Sequence, residues 1–421
     1  MLKRHYPGYE ELLNTIPDHR NRCTYSVAEI IMAGLSIFIF KRGSRNNADK
    51  GARGNYESNY FALFGMKLPI MDTVDDFLRK LPPEELDRIK RVLIGKLLEK
   101  KVLNKWKFEG RYLVACDATG VFSFSKKPFE GCPYKTSKNG KKSWQANVLE
   151  AKIVCPNGLS ISIASEWLCN SEDLSKKQDC ELKAFVRLAA KVKKWYPRLP
   201  AIILADGLYP NITFFDICKK NQWEYILTHK DGTLKSLWQE INFLYLIQEK
   251  ENKKERLVKK INDEWLYESS MFINGLEYQT HQINWVEYQS CFRGKEVHER
   301  FVYLTSLNIT HGNVWEVIEK GRLRWRIENE GFNTQKNGAY EMQHKYAEKN
   351  FQAMRNYYNL LQIAHMINQL TEKLTKVKQA IIMAQATLKS IWEDVLATLQ
   401  KETLCPDQIR IEFENCKQLR Y

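Results

Sequence analysis

An α/β architecture, with a mixed sheet flanked by helices, follows from three patterns in these 421 residues. Between about residues 108 and 228, short β-branched runs alternate with helical-period segments in the order β-β-β-α-β-α-β, which puts helices on the faces of a sheet with both strand directions. The stretch up to about residue 105 and the stretch Phe351 to Leu370 carry apolar residues at helical spacing. Between Trp265 and Cys291, apolar and polar residues alternate, as in half-buried strands.

The elements follow in order. Met1 to Glu10 is polar and aromatic and has no apolar signal-peptide core. Ile30 to Phe40 is the longest apolar run, about half of what a membrane span needs, and reads as a buried helix. Ser26-Val27-Ala28-Glu29 in front of it matches a capping box, in which serine and glutamate satisfy each other's free backbone N–H groups. Lys41 to Ser58, rich in Gly, Asn and Arg, reads as a loop. Thr73 to Leu81 forms a short helix ended by Pro82-Pro83. A new helix starts at Pro83 with Glu84 and Glu85 in its first turn, where the positive helix end favours acids. Its Leu86, Ile89, Leu93 and Leu97 recur at helical spacing with Lys and Arg between them. Such a face either meets DNA or is a solvated outer surface.

Arg111 to Cys116 reads as a buried strand, and Phe122 to Trp144 as a polar excursion bearing Lys126, Lys127, Lys135, Lys138, Lys141 and Lys142. Ala146 to Val154 and Leu159 to Ala164 are strands joined by a Pro156-Asn157-Gly158 turn. Asp179 to Trp195 is a helix, Pro200 to Ala205 a strand running into Asp206, Thr213 to Lys220 a helix, and Trp223 to Thr228 a strand. The pattern then breaks. Glu249 to Lys260 is a charge run, the composition of a solvated helix or loop, and Asn274-Gly275 is the expected turn of a hairpin within a β-rich insertion. Phe301 to Ser306 returns to strand character before a helix that holds Glu328, and residues after about 374 form a charged helical tail. No internal repeat or low-complexity tract is present.

Composition bounds the chemistry. Apolar residues make up 44% of the chain, enough for a large core. Lys and Arg number 65 against 50 Asp and Glu, and the resulting +15 favours a polyanionic partner. The ten cysteines are scattered with no C-x-x-C pair, which argues against a zinc ribbon or a redox motif and fits a reducing cytoplasm. No membrane span is expected. There is no P-loop, H-E-x-x-H or Ser/His/Asp arrangement, so ATP use is not indicated.

Three segments carry the functional signal: Val114 to Gly120, Ile203 to Gly207, and Arg322 to Glu330. The first two each run an apolar strand into an aspartate, Asp117 and Asp206, and ligands of open sheets gather at the carboxyl ends of strands. One aspartate after a strand is most simply a turn or a helix cap. Two on neighbouring strands, with a glutamate from an arginine-dense helix, repel one another until a cation relieves the cost. Such carboxylates suit Mg²⁺ or Mn²⁺, and paired divalent ions drive in-line displacement at phosphorus. On a basic chain the substrate would be a nucleic-acid backbone.

These residues resemble bacterial insertion-sequence transposases of the DDE type, in the group whose third carboxylate lies in a Tyr-x-x-Arg-x-x-x-Glu-x-x-x-x-x-x-Lys signature. The resemblance runs from about residue 20, with Ile16-Pro17-Asp18-His19-Arg20 as a leader, into the 370s. It is most specific at Asp117-Ala118-Thr119-Gly120, Asp206-Gly207 and Arg322 to Tyr340. It implies an RNase H-like catalytic core with a β-rich insertion between the second Asp and the Glu. The chain then divides into a helical, DNA-end-binding region (1–107), the first part of the core (108–230), the insertion (231–300), the second part of the core (301–373) and a helical tail (374–421). Asp117, Asp206 and Glu328 would be catalytic and would hold two Mg²⁺, with Mn²⁺ as substitute. Arg322, Arg324, Arg326 and Lys336 would bind DNA. Arg324 matches the signature arginine and binds phosphate or orients Glu328, the alternative being a surface ion pair. Gly321 stands at the signature tyrosine and Gln335 at the lysine, with Lys336 one residue later. Glu328 is favoured over Glu330 because it keeps the Arg-to-Glu spacing. Trp325 reads as a core residue more readily than as a wedge against a DNA base, His344 as a surface residue, and His19 and Arg20 as loop ends or phosphate ligands. The implied partners are terminal inverted repeats, target DNA and a second copy of the chain, in a bacterial cytoplasm at the nucleoid. The rivals are a nuclease that cuts without joining and an inactive transposase that only binds DNA.

Overall fold

The computed structural model describes residues 6–170, 178–261, 264–292, 296–347, 350–405 and 407; Cys416 and the end of the expected tail lie outside them. Among the described residues, six α-helices come first: α1 (Tyr9–Asn14), α2 (Val27–Ile39), α3 (Arg45–Asp49), α4 (Asn55–Phe64), α5 (Met71–Lys80) and α6 (Pro83–Glu99). The Ser26/Glu29 capping box starts α2, and every α2 residue except Glu29 is buried. The Lys41–Ser58 loop expectation is corrected, because this stretch contains α3 and the start of α4. Ser44 caps α3 by accepting from the Asn47 N–H, and Gly54 enters α4 with φ +70°. The residues that cap and enter short helices have the composition of loops. The face of α6 bearing Leu86, Ile89, Leu93 and Leu97 is buried, and so is Lys90. Its ammonium donates to Ser165 Oγ at 2.9 Å, so that lysine meets neither solvent nor DNA.

Among the described residues, ten strands form one mixed sheet. They are β1 (Tyr112–Phe124), β2 (Tyr134–Thr136), β3 (Lys142–Val154), β4 (Ser160–Trp167), β5 (Ala201–Ala205), β6 (Glu224–Thr228), β7 (Lys253–Ile261), β8 (Glu264–Tyr278), β9 (His281–Phe292) and β10 (Val297–Thr305). The order across the sheet is β3-β1-β5-β6-β10-β9-β8-β7, with β2 and β4 both on the outer edge of β3. β1, β5 and β6 run parallel, and the other pairings are antiparallel. Helices α7 (Glu181–Trp195), α8 (Ile212–Asn221) and α9 (Lys235–Asn252) intervene. After β10 come α10 (Val314–Arg322), a 3₁₀ turn (Leu323–Trp325), a π-helix (Ile327–Asn333), α11 (Thr334–Asn337), α12 (Phe351–Glu372), α13 (Thr375–Met383) and α14 (Leu388–Lys401).

Three strand expectations shift. β1 does not stop at Cys116. Its second half pairs with β3 and buries Phe122 and Phe124, so the lysine-bearing excursion is shorter and includes β2. Asn274-Gly275 is a bulge inside β8, and the hairpin turns at Gln279-Thr280, where Gln279 has φ +53°. The Asn274 amide is engaged elsewhere, donating to the Ile309 carbonyl and accepting its N–H. The charge run is part helix and, for the larger share, strand. It ends α9 and begins β7, an edge strand whose described charges discourage pairing with another chain. The insertion is therefore not a separate sheet, since β7 to β10 continue the central one.

A continuous apolar core runs from Tyr6 to Leu399, joining the N-terminal helices to the sheet. Its spine is α12, which packs on α2, α5 and α6. Buried amides on α12 satisfy carbonyls that those helices leave free at their ends. Asn356 donates to Leu78 and Leu81, and Asn368 to Ile39. Among the described residues no helix is long and apolar enough to cross a membrane.

One buried histidine makes stability depend on acid. His229 stacks on Trp238 with centroids 4.4 Å apart, and burial pushes its pKa down to about 4. The unfolded chain takes up a proton near the ordinary value of about 6.5, which the folded chain refuses until about 4. Stability is therefore full above the unfolded value and is lost as pH falls through this window. His229→Phe should shrink the loss of unfolding free energy between pH 7 and pH 4.5 by on the order of 2 kcal/mol in denaturant melts. An unchanged loss would mean that the ring is not held neutral.

Candidate active site

The last β1–β5 pair is Ala115 with Leu204, and Asp117 and Asp206 each lie two residues further on. Parallel register thus brings the two residues to the same end of neighbouring strands. Asp117 does not close its strand as expected. It sits inside β1, paired in register with Glu150 of β3, and its Oδ1 accepts the Ala118 N–H at 2.9 Å. Asp206 does follow the end of its strand. Its Oδ1 accepts the Leu208 N–H at 2.8 Å, which turns the chain, and its Oδ2 accepts from Lys230 Nζ at 2.9 Å.

Glu328 arrives from the π-helix. Arg324, almost wholly buried, donates to Glu328 Oε1 at 2.7 Å and lies 3.8 Å from Asp117 Oδ2, so one guanidinium bridges two of the three carboxylates. Glu330 turns away. It pairs with Arg326, which also donates to the Pro156 carbonyl, and it borders Gly158 in the β3–β4 turn. Glu328 is thus the glutamate beside Asp117.

The other expected residues separate. Arg326 stays with Glu330, and exposed Arg322 lies 3.5 Å from Glu299 and over the Phe301 ring. Gln335 is fully buried, bonded to Gln362 and His365. Lys336, half-buried, is close enough to feel the Asp117 charge. The wide turn explains the offset. A π-helix holds about one more residue per turn than an α-helix, so the eighth residue after Glu328 comes round where the seventh would otherwise stand. The core expectation for Trp325 is corrected, since it is 48% exposed. The 3₁₀ turn buries Leu323 and Arg324 and sends the indole outward, 4.4 Å beneath the Arg324 guanidinium. His19 stacks on Phe77, and Arg20 pairs with Asp18 at 2.7 Å, so both serve the N-terminal packing. His344 is exposed.

Gly321 has a packing reason. A Cβ there would lie 2.9 Å from the buried Tyr303 ring, so this ring of β10 fills the space beside α10. Gly321→Ala should cost about 1–3 kcal/mol in a urea melt, as overpacking does. A variant as stable as the parent would show that the ring can yield.

Two participants were not legible in the sequence. Glu181, first residue of α7, accepts from the buried Tyr209 hydroxyl at 2.6 Å and acts electrostatically on Asp117. It reads as an ordinary acid at a helix start, and nothing local marks it. Lys230 follows β6, the strand beside β5, so a reading of strand order would have placed it next to Asp206.

The site is strained as an anion cluster. Burial first, then Glu181 and Glu328, push the Asp117 carboxyl up to about 7, against the pull of Arg324 and the Ala118 N–H. Burial also raises Glu181, with Asp206 adding to it, and lowers the Lys336 ammonium. Among the described residues no three His, Cys, Asp or Glu side chains are grouped closely enough to form a ready metal site. Arg324 and Lys230 stand on the carboxylates instead. The side chains are hard-oxygen donors, the kind that Mg²⁺ or Mn²⁺ takes, and added positive charge beside the raised Asp117 carboxyl would lower its energy. No known family model matches the chain, and no curated protein gives a significant match to it, so a functional reading has to stand on this geometry.

Proposed function

We propose that this chain is a DNA transposase that hydrolyses a phosphodiester at a transposon end and joins the freed 3′-hydroxyl to target DNA. The observation that carries the reading is that Asp117 and Asp206 each lie two residues beyond the last pair of neighbouring parallel strands, with Glu328 tied to Asp117 through Arg324. The order β4-β3-β1-β5-β6, three antiparallel strands followed by two parallel ones, supports an RNase H-like core. The +15 charge supports a nucleic-acid partner.

Asp117, Asp206 and Glu328 would hold two Mg²⁺ ions, which when bound activate the attacking oxygen and stabilise the leaving one. In the first reaction a water oxygen bonds to phosphorus, the P–O3′ bond breaks, and the leaving oxygen takes a proton. In the second, that 3′-hydroxyl attacks a target phosphodiester and displaces its 3′ oxygen. Arg324 holds Glu328 toward Asp117 and restrains the repulsion between them. Lys336, beside Asp117, would grip a DNA phosphate, and exposed Trp325 offers a face on which a base can stack. Arg322 and Arg326, two residues either side of Arg324, would contact backbone. Cutting and joining two ends together calls for a second copy of the chain.

The test incubates the protein with the DNA flanking its own gene, in Mg²⁺ or Mn²⁺, beside Asp117→Asn. Joined product from the wild type alone supports transposition. Cleavage without joining assigns a nuclease, and binding without either assigns a DNA-binding relic. Lys336→Gln should weaken DNA binding across sequences and reduce the salt slope by about one. An unchanged slope would remove Lys336 from the DNA contact.

A further inference from the structure

The polar side chains of α12 do more than cap neighbouring helices. One turn apart along its length, Gln362, His365 and Gln369 are at most 5% exposed and face the segment that carries Glu328 and Lys336. Gln362 and Gln335 bond to each other through both amides, at 2.9 and 3.1 Å. Lys152 of β3, also fully buried, donates to Gln362 Oε1 at 3.0 Å and lies over the Phe332 ring of the π-helix. The His365 imidazole sits between the amide nitrogens of Gln335 and Gln369, at 2.9 and 3.0 Å, and accepts from one of them through its unprotonated nitrogen. Gln369 reaches the π-helix backbone itself: its Nε2 donates to the Glu330 carbonyl at 3.3 Å, while its Oε1 accepts the Ser160 N–H at 2.9 Å.

A buried network of this kind is costly unless every member is satisfied, and an apolar helix face would pack the same space more simply. The π-helix supplies the reason for it. A wide turn is less favourable than an α-helix and leaves carbonyls out of register, so it persists only where its surroundings hold it. Should Ile327–Asn333 relax to an α-helix, the residues beyond would rotate by roughly 100°, one residue's worth of turn. Gln335 would then stand where Lys336 now feels the Asp117 charge.

We infer that Gln335, Gln362, His365 and Gln369 are positioning residues that hold the wide turn of Ile327–Asn333, so that Glu328 and Lys336 both address Asp117. The inference rests on the proposed transposase reading for its consequence in catalysis, and on the hydrogen-bond geometry alone for its structural part.

The test uses Gln369→Met and, at a position that does not hold the Glu330 carbonyl, Gln335→Met, each alone and combined with Lys336→Ala. In either variant, hydrogen exchange of the backbone across 327–337 should rise about tenfold or more while α2 and α5 stay protected. Cleavage should fall about 30-fold, and affinity for end DNA should fall no further than Lys336→Gln alone lowers it. A merely structural role would not move the third readout. If Lys336→Ala costs the wild type about tenfold, it should cost the variants less than about twofold, because their lysine is already displaced. Unchanged exchange, or a full additional loss from Lys336→Ala, overturns the inference. A wild type that cuts no DNA overturns the functional reading instead, and hydrogen exchange still decides whether α12 holds the turn.

Discussion

Asp117→Asn is expected to reduce cleavage about 10,000-fold and, at the same time, to make the metal-free protein more stable at pH 8. The two effects share one cause. Asp117 sits half-buried between Glu181 and Glu328, and its carboxyl is pushed from 3.8 to about 7. For a carboxylate raised in this way, the unfolded chain ionises first. Stability is therefore lost as pH rises from the unfolded value toward about 7, and the loss is complete above it. Asparagine keeps the shape and removes the charge, so at pH 8 it should recover on the order of 3 kcal/mol, and near pH 3 almost nothing. Denaturant melts at the two pH values check the sign. Added Mg²⁺ should stabilise the wild type and leave Asp117→Asn unmoved. A variant that is destabilised at pH 8 would mean that Asp117 is not held against its neighbours' charge.

The second large effect is expected at Arg324. Its guanidinium is 8% exposed and lies within 4 Å of both Glu328 and Asp117. Arg324→Met fills similar volume but leaves two carboxylates facing each other without a counter-charge, which should cost about 2 kcal/mol of stability. Cleavage should fall about 100- to 1,000-fold, the loss seen when one preorganised charge is removed from a reacting centre. Because Arg324 pulls the Asp117 carboxyl down, its removal lets that pKa rise further, so the acidic limb of the pH–rate profile should move to higher pH by about one unit. Arg324→Lys keeps the charge without the planar fork and should fall between the two. A profile that stays in place, with the rate reduced, would make Arg324 a ligand of DNA alone.

Elements whose cause is local were legible in the sequence. The Ser26/Glu29 box, the proline at the start of α6, and the β-branched runs of β5 and β6 each carry their own reason for forming. Asp117 and Asp206 could be found because each follows an apolar run, and their pairing is a consequence of parallel register. What escaped depends on partners distant in the chain. The second half of β1 is a strand because β3 pairs with it. Asn274-Gly275 has the composition of a turn, but its side chain is claimed by Ile309, and the turn moves on to Gln279. Trp325 has the size of a core residue, and a tight turn rotates it outward. The wide turn of Ile327–Asn333, beyond which Lys336 feels the Asp117 charge, has no mark in the sequence.

The spine α12 also has a consequence for how the chain is made. The Asn368 amide that closes the end of α2 lies 329 residues after Ile39, and α2, on which α12 packs, is buried at every residue except Glu29. On a ribosome adding about 5–20 residues each second, α2 is synthesised on the order of half a minute before its cover emerges. During that interval the nascent N-terminal helices have no completed core to enter. Their survival during synthesis then depends on chaperones that shield apolar surface, and a chain truncated before Phe351 would leave that surface permanently open.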